Sequence, residues 1–559
     1  MFKGHPKGLI VAFFTNMGER FGFYTMMAIL VLFLQAKFGL TEGHAGIIYS
    51  IFYFSIYFLA VFGGYLADRV IGLNNTISIG IVTMTVGYVV LAVPGLSLTV
   101  SCIGLFIIAL GNGLFKGNLQ ALVGNLYEDS KFSSLRDRGF SLFYMGINIG
   151  AIFAPTIAKD IRDWYIGTKG FLYDAQLPKL AHDVINGSVP STDFLAKASA
   201  ANTNGVAITA DNALSFAHDY INSFSTGYNY AFGIAAVAMV ISLIIYSVFK
   251  KDLRPGMNLG KKDASGKDVT VKDDMPKSVV RQRLTALGLV FMVVIFFWMS
   301  FHQNGLTLTF YARDYVQLSG IDRFTYLLFD IWGLIPAALA VGALFYALGK
   351  NKATLNRVFG IAVACAFGYL ALTRFMSYDA SNKITAEIFQ GFNPMLVVIL
   401  TPIVVGFFGF LNQKGKEPST PRKIGIGMLL AALAFTIMAI FSVGQELPAG
   451  LNGAANTDLS SPYLLIGTYF TLTVAELFLS PMGISFVSKV APPKYKGLAQ
   501  GGWLCATAVG NLLLSIGSTM WGIFTQVWQV WAIFVVCCLI SASVMFLMMK
   551  RIEQAASAK

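Results

Sequence analysis

The sequence predicts an all-α polytopic membrane protein with about fourteen transmembrane helices, and three observations carry that reading. Of the 559 residues, 56% are hydrophobic and 12% charged, with a mean hydropathy of +0.65, whereas a soluble domain carries about 25% charged residues. The apolar residues fall into runs long enough for the ~20 residues that cross a bilayer as helix. Most of the 41 Lys and Arg lie in alternate connections between those runs, and basic residues are retained on the cytoplasmic side.

The runs centre on 8–36, 45–66, 76–97, 101–124, 140–158 and 228–249, then on 285–303, 325–349, 357–375, 390–411, 424–444, 462–485, 498–519 and 527–549. The opening MFKGHPKG leads into an apolar run too long for a signal-peptide core and without a small-residue cleavage site, so it reads as a cytosolic start. Pro155, Pro336, Pro402 and Pro481 fall within runs; a membrane bundle tolerates them because neighbouring helices satisfy the freed backbone groups.

Two stretches interrupt the pattern. Residues 250–284 carry ten Lys or Arg and no large apolar face, which reads as a cytosolic linker dividing six helices (1–249) from eight (285–549), with a cytosolic tail at 550–559. Residues 159–226, rich in Ala, Asn, Asp and Ser, read as an external insertion in which Phe194, Leu195, Phe216 and Tyr220 sit at helical spacing. The sequon at Asn186 is a weak motif.

Several classes are excluded. The net charge of +13 follows from topology and requires no nucleic-acid partner. Cys102, Cys365, Cys505, Cys537 and Cys538 all lie in apolar runs, without metal-ligand spacing, and no metal or cofactor is expected. No GxSxG, HExxH or Walker A motif is present, so the chain does not read as an enzyme.

Ionisable side chains within spans are expensive and mark polar pathways. The first span, TNMGERFGFY, places Asn16, Arg20 and Tyr24 four residues apart on one face, with Glu19 a step around. Lys116 lies in the fourth span, Glu476 in the twelfth, and His302 at the outer end of the seventh. Cations in one bundle and an isolated acid in the other suit a zwitterion. Its carboxylate would sit between Arg20 and Lys116, with Arg20 offering a bidentate fork, and its ammonium on Glu476. Each added residue lengthens an extended peptide by about 3.3 to 3.6 Å, so a fixed distance between these poles selects short peptides.

Several motifs then appear in order: GGYLADR at 63–69, GLFKGNLQALVGNLY at 113–127, FYMGINIGA at 143–151, FQGFNP at 389–394, GKEPSTP at 415–421 and AELFLSPMGISFVSKVAP at 475–492. With these the chain resembles the proton-dependent oligopeptide transporters, the peptide transporter branch of the major facilitator superfamily. The resemblance implies two six-helix bundles around a midplane cavity, rocking between access states, with di- and tripeptides and protons as cargo and the lipid bilayer as surroundings. It also implies an inner (cytoplasmic) membrane location with both termini cytosolic and no obligate protein partner. By the same resemblance, the family's ExxERF motif maps onto Asn16, Glu19, Arg20 and Phe21, so Arg20 and Lys116 take the peptide carboxylate. Glu476 takes the amino terminus, Asn148 and Asn393 the peptide backbone, and Tyr24, Tyr57, Trp298 and Trp503 line the cavity.

The departures concern the proton. Asn16 replaces the motif's first Glu, and the family's acid in helix 7 and its Arg partner correspond here to His302 and Met27. His302 and Glu19 are therefore the two candidates for proton coupling, since an imidazole near pKa 6.5 exchanges protons in the physiological range. The extra helix pair at 325–375 follows the seventh helix, whereas fourteen-helix bacterial members of the family carry theirs before it. A facilitator or exchanger of peptides or small carboxylates without proton coupling is the alternative, and a non-transporting sensor is a third reading.

Overall fold

The structure, a computed structural model, describes residues 2–128, 130–257, 275–349, 354–379, 383–451, 456–492 and 495–557. The first half comprises α1 (Lys7–Phe38), α2 (Glu42–Arg69), α3 (Leu73–Ala92), α4 (Leu98–Asn125), α5 (Arg136–Thr168), two short helices α6 (Leu177–Ile185) and α7 (Thr192–Ala201), and α8 (Ala213–Val248). A short α9 (Lys250–Met257) follows; of the linker expected at 250–284, residues 258–274 lie outside the described residues, and its end is helical because the next helix already begins at Lys277. The second half runs through α10 (Lys277–Phe301), α11 (Thr307–Tyr315), α12 (Arg323–Phe329), α13 (Ile331–Leu348), α14 (Thr354–Met376), α15 (Phe392–Gln413), α16 (Thr420–Phe441) and α17 (Pro448–Leu451). It ends with α18 (Pro462–Val490), α19 (Lys496–Leu512), α20 (Ser515–Ile523), α21 (Val527–Leu547) and α22 (Met549–Ser557). Fourteen segments among the described residues are long and apolar enough to span a membrane, and the only β pairing there is isolated bridges such as Phe171 with Asn202.

Local chemistry sets the helix ends. Gly39, at φ 63°, closes α1 by donating its N–H to Gln35 O at 2.9 Å, a left-handed cap that glycine adopts without steric cost. The Ser191 and Asp322 side chains accept the first free N–H groups of α7 and α12. In a bilayer, helices associate through close van der Waals packing rather than the hydrophobic effect. Gly63 of α2 therefore lies so near the Gly113 carbonyl of α4 that a Cβ would come within 2.2 Å of it.

In the first half, α1 packs on α5 and α8, while α4 packs on α2 and α3. In the second, α16 packs on α18 and α21, and α10 on α19 and α21. The halves meet where α2 crosses α19 and α20 and where α5 meets α15 and the turn before it. The extra pair, α13 and α14, packs mainly on itself and leaves most of its surface toward lipid.

Several expected boundaries move. The insertion anticipated at 159–226 is shorter, because α5 continues to Thr168 and α8 begins at Ala213. Its polar start is helix rather than external loop: Arg162 is 0% exposed and neutralised by Asp163 and Glu387. The seventh span continues past 303 through a 3-10 turn, His302–Gly305, into α11. His302 thus sits in a break inside the span, not at its outer end. The charged pair Arg313 and Asp314 concealed this continuation: Arg313 is 9% exposed and bound to Asp314, Glu42 and Gln35. The span expected at 325–349 is broken at Asp330, a buried carboxylate bonded to Arg374 Nε at 2.8 Å.

Polar contacts between the halves among the described residues gather at the end that carries α6 and α7. Arg313 donates to Gln35 Oε1 at 2.7 Å and to Glu42 Oε1 at 3.0 Å. Arg162 pairs with Glu387, Trp332 Nε1 donates to Asp160 Oδ2 at 2.8 Å, and Gln390 Nε2 donates to Ala28 O at 3.3 Å. This end is latched.

Candidate functional site

The first-span motif builds one wall. Glu19 and Arg20 are sequence neighbours on α1, and the guanidinium folds back so that Nε and Nη2 reach the two Glu19 oxygens at 2.5 Å each. Both are buried, at 1% and 4% exposure, so each charge depends on the other. Asn112 of α4 donates Nδ2 to Glu19 Oε1 at 2.7 Å, and the Arg20 guanidinium lies 4.6 Å from the Phe23 ring centroid. No described hydrogen bond uses Arg20 Nη1, which leaves one edge of the fork for another acceptor.

Lys116 does not join this pair. Its Nζ stands 4.3 Å from the ring centroid of Tyr57 on α2, a cation–π contact. No ion pair among the described residues involves it. The opposite wall carries Glu476 of α18, whose Oε2 accepts from Asn393 Nδ2 at 2.9 Å; Asn393 also donates to Thr473 Oγ1 at 3.1 Å. Glu476 likewise has no cationic partner among the described residues, although it is close enough to Tyr24 and Tyr57 to act on them electrostatically. Tyr24, Tyr57, Lys116, Asn393 and Glu476 are all half-buried. The structure thus brings Arg20, Tyr24, Tyr57, Lys116, Asn393 and Glu476 to one place between the halves.

The remaining expected residues are arranged differently. Asn148 donates to Tyr144 O of its own helix at 3.3 Å, with no described bond to the charged cluster. Trp503 is buried on α19 with its ring against Gly483 of α18, where a Cβ would come within 2.0 Å of it. Trp298 is buried and stacked on His302, centroids 4.7 Å apart and 21° between planes. His302 lies between Trp298 and Tyr53, whose ring centroid is 4.5 Å away across the half boundary. Its Nδ1 meets the side-chain amide of Asn511 at 2.5 Å, which ties the ring to α19.

Sequence reasoning did not anticipate Asn112, Asn511 or Tyr53, nor the latch residues Arg162, Glu387, Arg313 and Glu42. A polar residue within an apolar run was the available signal for Asn112 and Asn511. No such signal existed for the latch, because its residues were assigned to loops.

Two helical halves latched at one end, with unpaired charges of opposite sign on facing walls, define a membrane transporter rather than an enzyme. The POT family profile matches residues 74–265 and 363–556, and the chain belongs to that family. It is 29% identical over 547 residues to the uncharacterized transporter YclF of Bacillus subtilis (strain 168), covering 94% of this chain and 89% of that protein. It is 28% identical over 530 residues to the di-/tripeptide transporter of Lactococcus lactis subsp. cremoris, covering 92% and 89%. Among solved structures, a peptide transporter POT in complex with alafosfalin superposes with a TM-score of 0.65 at 23% identity over 99% of this chain and 96% of that one. A POT family transporter in complex with 5-aminolevulinic acid gives 0.65 at 19% identity over 99% and 98%. At these identities the likeness to solved structures is one of fold.

Proposed function

We propose that this protein is a secondary transporter that imports di- and tripeptides together with protons by alternating access. The observation that carries the reading is that two charges stand without an ionic partner among the described residues: Lys116 of the first half, over the Tyr57 ring, and Glu476 of the second, bonded to Asn393. Buried or half-buried charges of opposite sign that do not meet call for a ligand carrying both complements. A peptide carboxylate between Lys116 and the free edge of Arg20, with its ammonium on Glu476, is such a ligand. Asn393 orients Glu476 and Tyr24 and Tyr57 floor the site, while Trp298 and Trp503 pack on His302 and Gly483 and are not assigned to the peptide. Asn148, half-buried on α5, is assigned to the peptide backbone.

Coupling follows from competition. Glu19 occupies the Nε–Nη2 edge of Arg20, and a protonated Glu19 releases that edge to the substrate. Of the two proton candidates the contacts favour Glu19, which lies within the charged cluster. His302 is enclosed by aromatic rings, and its Nδ1 is committed to Asn511.

The latched end faces outside, the termini lie in the cytosol, and the membrane is the cytoplasmic one. On this reading the bundles at 1–249 and 285–549 hold the cargo on their common axis. A proton entering with a neutral zwitterion moves one charge, and 100 mV is worth about 2.3 kcal/mol, roughly fifty-fold accumulation.

The test is uptake of labelled dialanine by proteoliposomes, with and without an inward proton gradient and a negative-inside potential. Accumulation above equilibrium only under the gradient is expected. Equilibration without accumulation would replace symport with facilitated exchange.

A further inference from the structure

Behind the Glu19–Arg20 pair lies a group of buried polar atoms that the peptide site does not use. Asn112 is 0% exposed; its Nδ2 serves Glu19 Oε1, while its Oδ1 has no partner. Thr15 Oγ1, one helical turn before Glu19 on α1, and the Tyr88 hydroxyl on α3 are also buried without partners. Tyr88 is one turn beyond Met84, whose sulfur touches Asn112 Nδ2 at 3.8 Å, and it lies within electrostatic reach of Glu19. A native interior leaves few polar atoms unpaired, and each one calls for a reason.

Resting on the symport reading, we propose that Asn112 is the positioning residue that lets Glu19 change its protonation state without stranding a buried polar atom. With Glu19 ionised, Asn112 donates Nδ2–H to Oε1. When a proton from the transmembrane gradient binds Oε1, the Nδ2–H···Oε1 contact becomes donor against donor. A half-turn of the amide about Cβ–Cγ then brings Oδ1 to accept the new O–H. One side chain thereby serves both states, because an amide carries donors and an acceptor on the same plane. The charged and titratable groups around Glu19 are Arg20 and Tyr24 on its own helix, Lys116 on α4 and Tyr88 on α3.

The test compares two modes of transport in proteoliposomes containing the full chain: gradient-driven accumulation of dialanine, and counterflow exchange of dialanine, which needs no net proton movement. Asn112→Leu removes both roles of the amide. Accumulation is expected to fall about tenfold or more while counterflow persists, since a one-unit change in proton affinity is about tenfold in population. Asn112→Asp puts a second carboxylate beside Glu19, and two carboxylates sharing a site hold a proton strongly. The alkaline limb of driven uptake should then move up by about one pH unit.

Undiminished accumulation in Asn112→Leu, or parallel loss of both modes, would overturn the proposal. If Asn112→Leu does not reach the membrane, an unshifted alkaline limb in the isosteric Asn112→Asp overturns it instead. Absence of driven accumulation in the unaltered protein would instead refute the symport reading, before any variant is compared.

Discussion

Arg162 of α5 and Glu387, in the turn before α15, form an ion pair across the two halves with neither side chain exposed. Asp163 accepts from Arg162 Nε and Nη2 at 2.9 and 2.7 Å, Tyr228 OH accepts from Nη1 at 3.3 Å, and the Tyr173 ring lies 3.9 Å from the guanidinium. Together with Arg313 and Glu42 this pair must separate whenever the latched end opens.

Glu387→Gln should open that end. Removing the carboxylate that reaches Arg162 from the other half weakens a buried charge-assisted bond, worth about 1.5–3 kcal/mol against the latched state, while Asp163 keeps the guanidinium neutralised. Spin-label distances between the α6–α7 end and the start of α15 should lengthen, and replacing both Arg162 and Glu387 by Met should restore the short distance. A distance distribution unaltered by Glu387→Gln would mean that the latch resides elsewhere.

Arg20→Lys should raise the half-saturating dialanine concentration by roughly 10- to 100-fold, because a point charge replaces a planar fork shared between Glu19 and a carboxylate. Competition binding measures this directly. Near-normal affinity would discard the carboxylate assignment.

Glu476→Gln should abolish uptake of dipeptides with a free amino group. It should also erase discrimination between dialanine and its N-acetyl derivative, since only the former carries the ammonium that the carboxylate recognises. Retained discrimination would move the amino-terminal site away from Asn393 and Glu476.

His302→Ala should leave the pH dependence of driven uptake in place, although a free imidazole titrates near about pH 6.5. The ring is held between Trp298 and Tyr53, so the loss should appear as weaker transport at every pH. A flattened profile would return the proton to His302.

Much of this protein was legible in its chain. Runs of about twenty apolar residues identify spans whatever their neighbours, because the bilayer imposes length and satisfies no backbone group. The residues of the charged cluster were legible for the related reason that Arg20, Lys116 and Glu476 lie within runs where ionisation is costly. The motifs added the family.

What only the tertiary structure decided is how those charges are partnered. Lys116 lies over Tyr57 with no acid partner among the described residues, and Asn112, 93 residues away from Glu19, completes the Glu19–Arg20 pair. The latch was invisible for a converse reason. Arg162, Glu387, Arg313 and Glu42 are polar residues at the margins of spans, where composition alone reads loop. Asp163 and Asp314 pair with Arg162 and Arg313 within one half, but only the approach of the two halves brings Glu387 and Glu42 to these cations. Hydropathy is a property of a segment, whereas neutralisation belongs to a pair, and the partners that join the two halves are brought together by packing rather than by sequence.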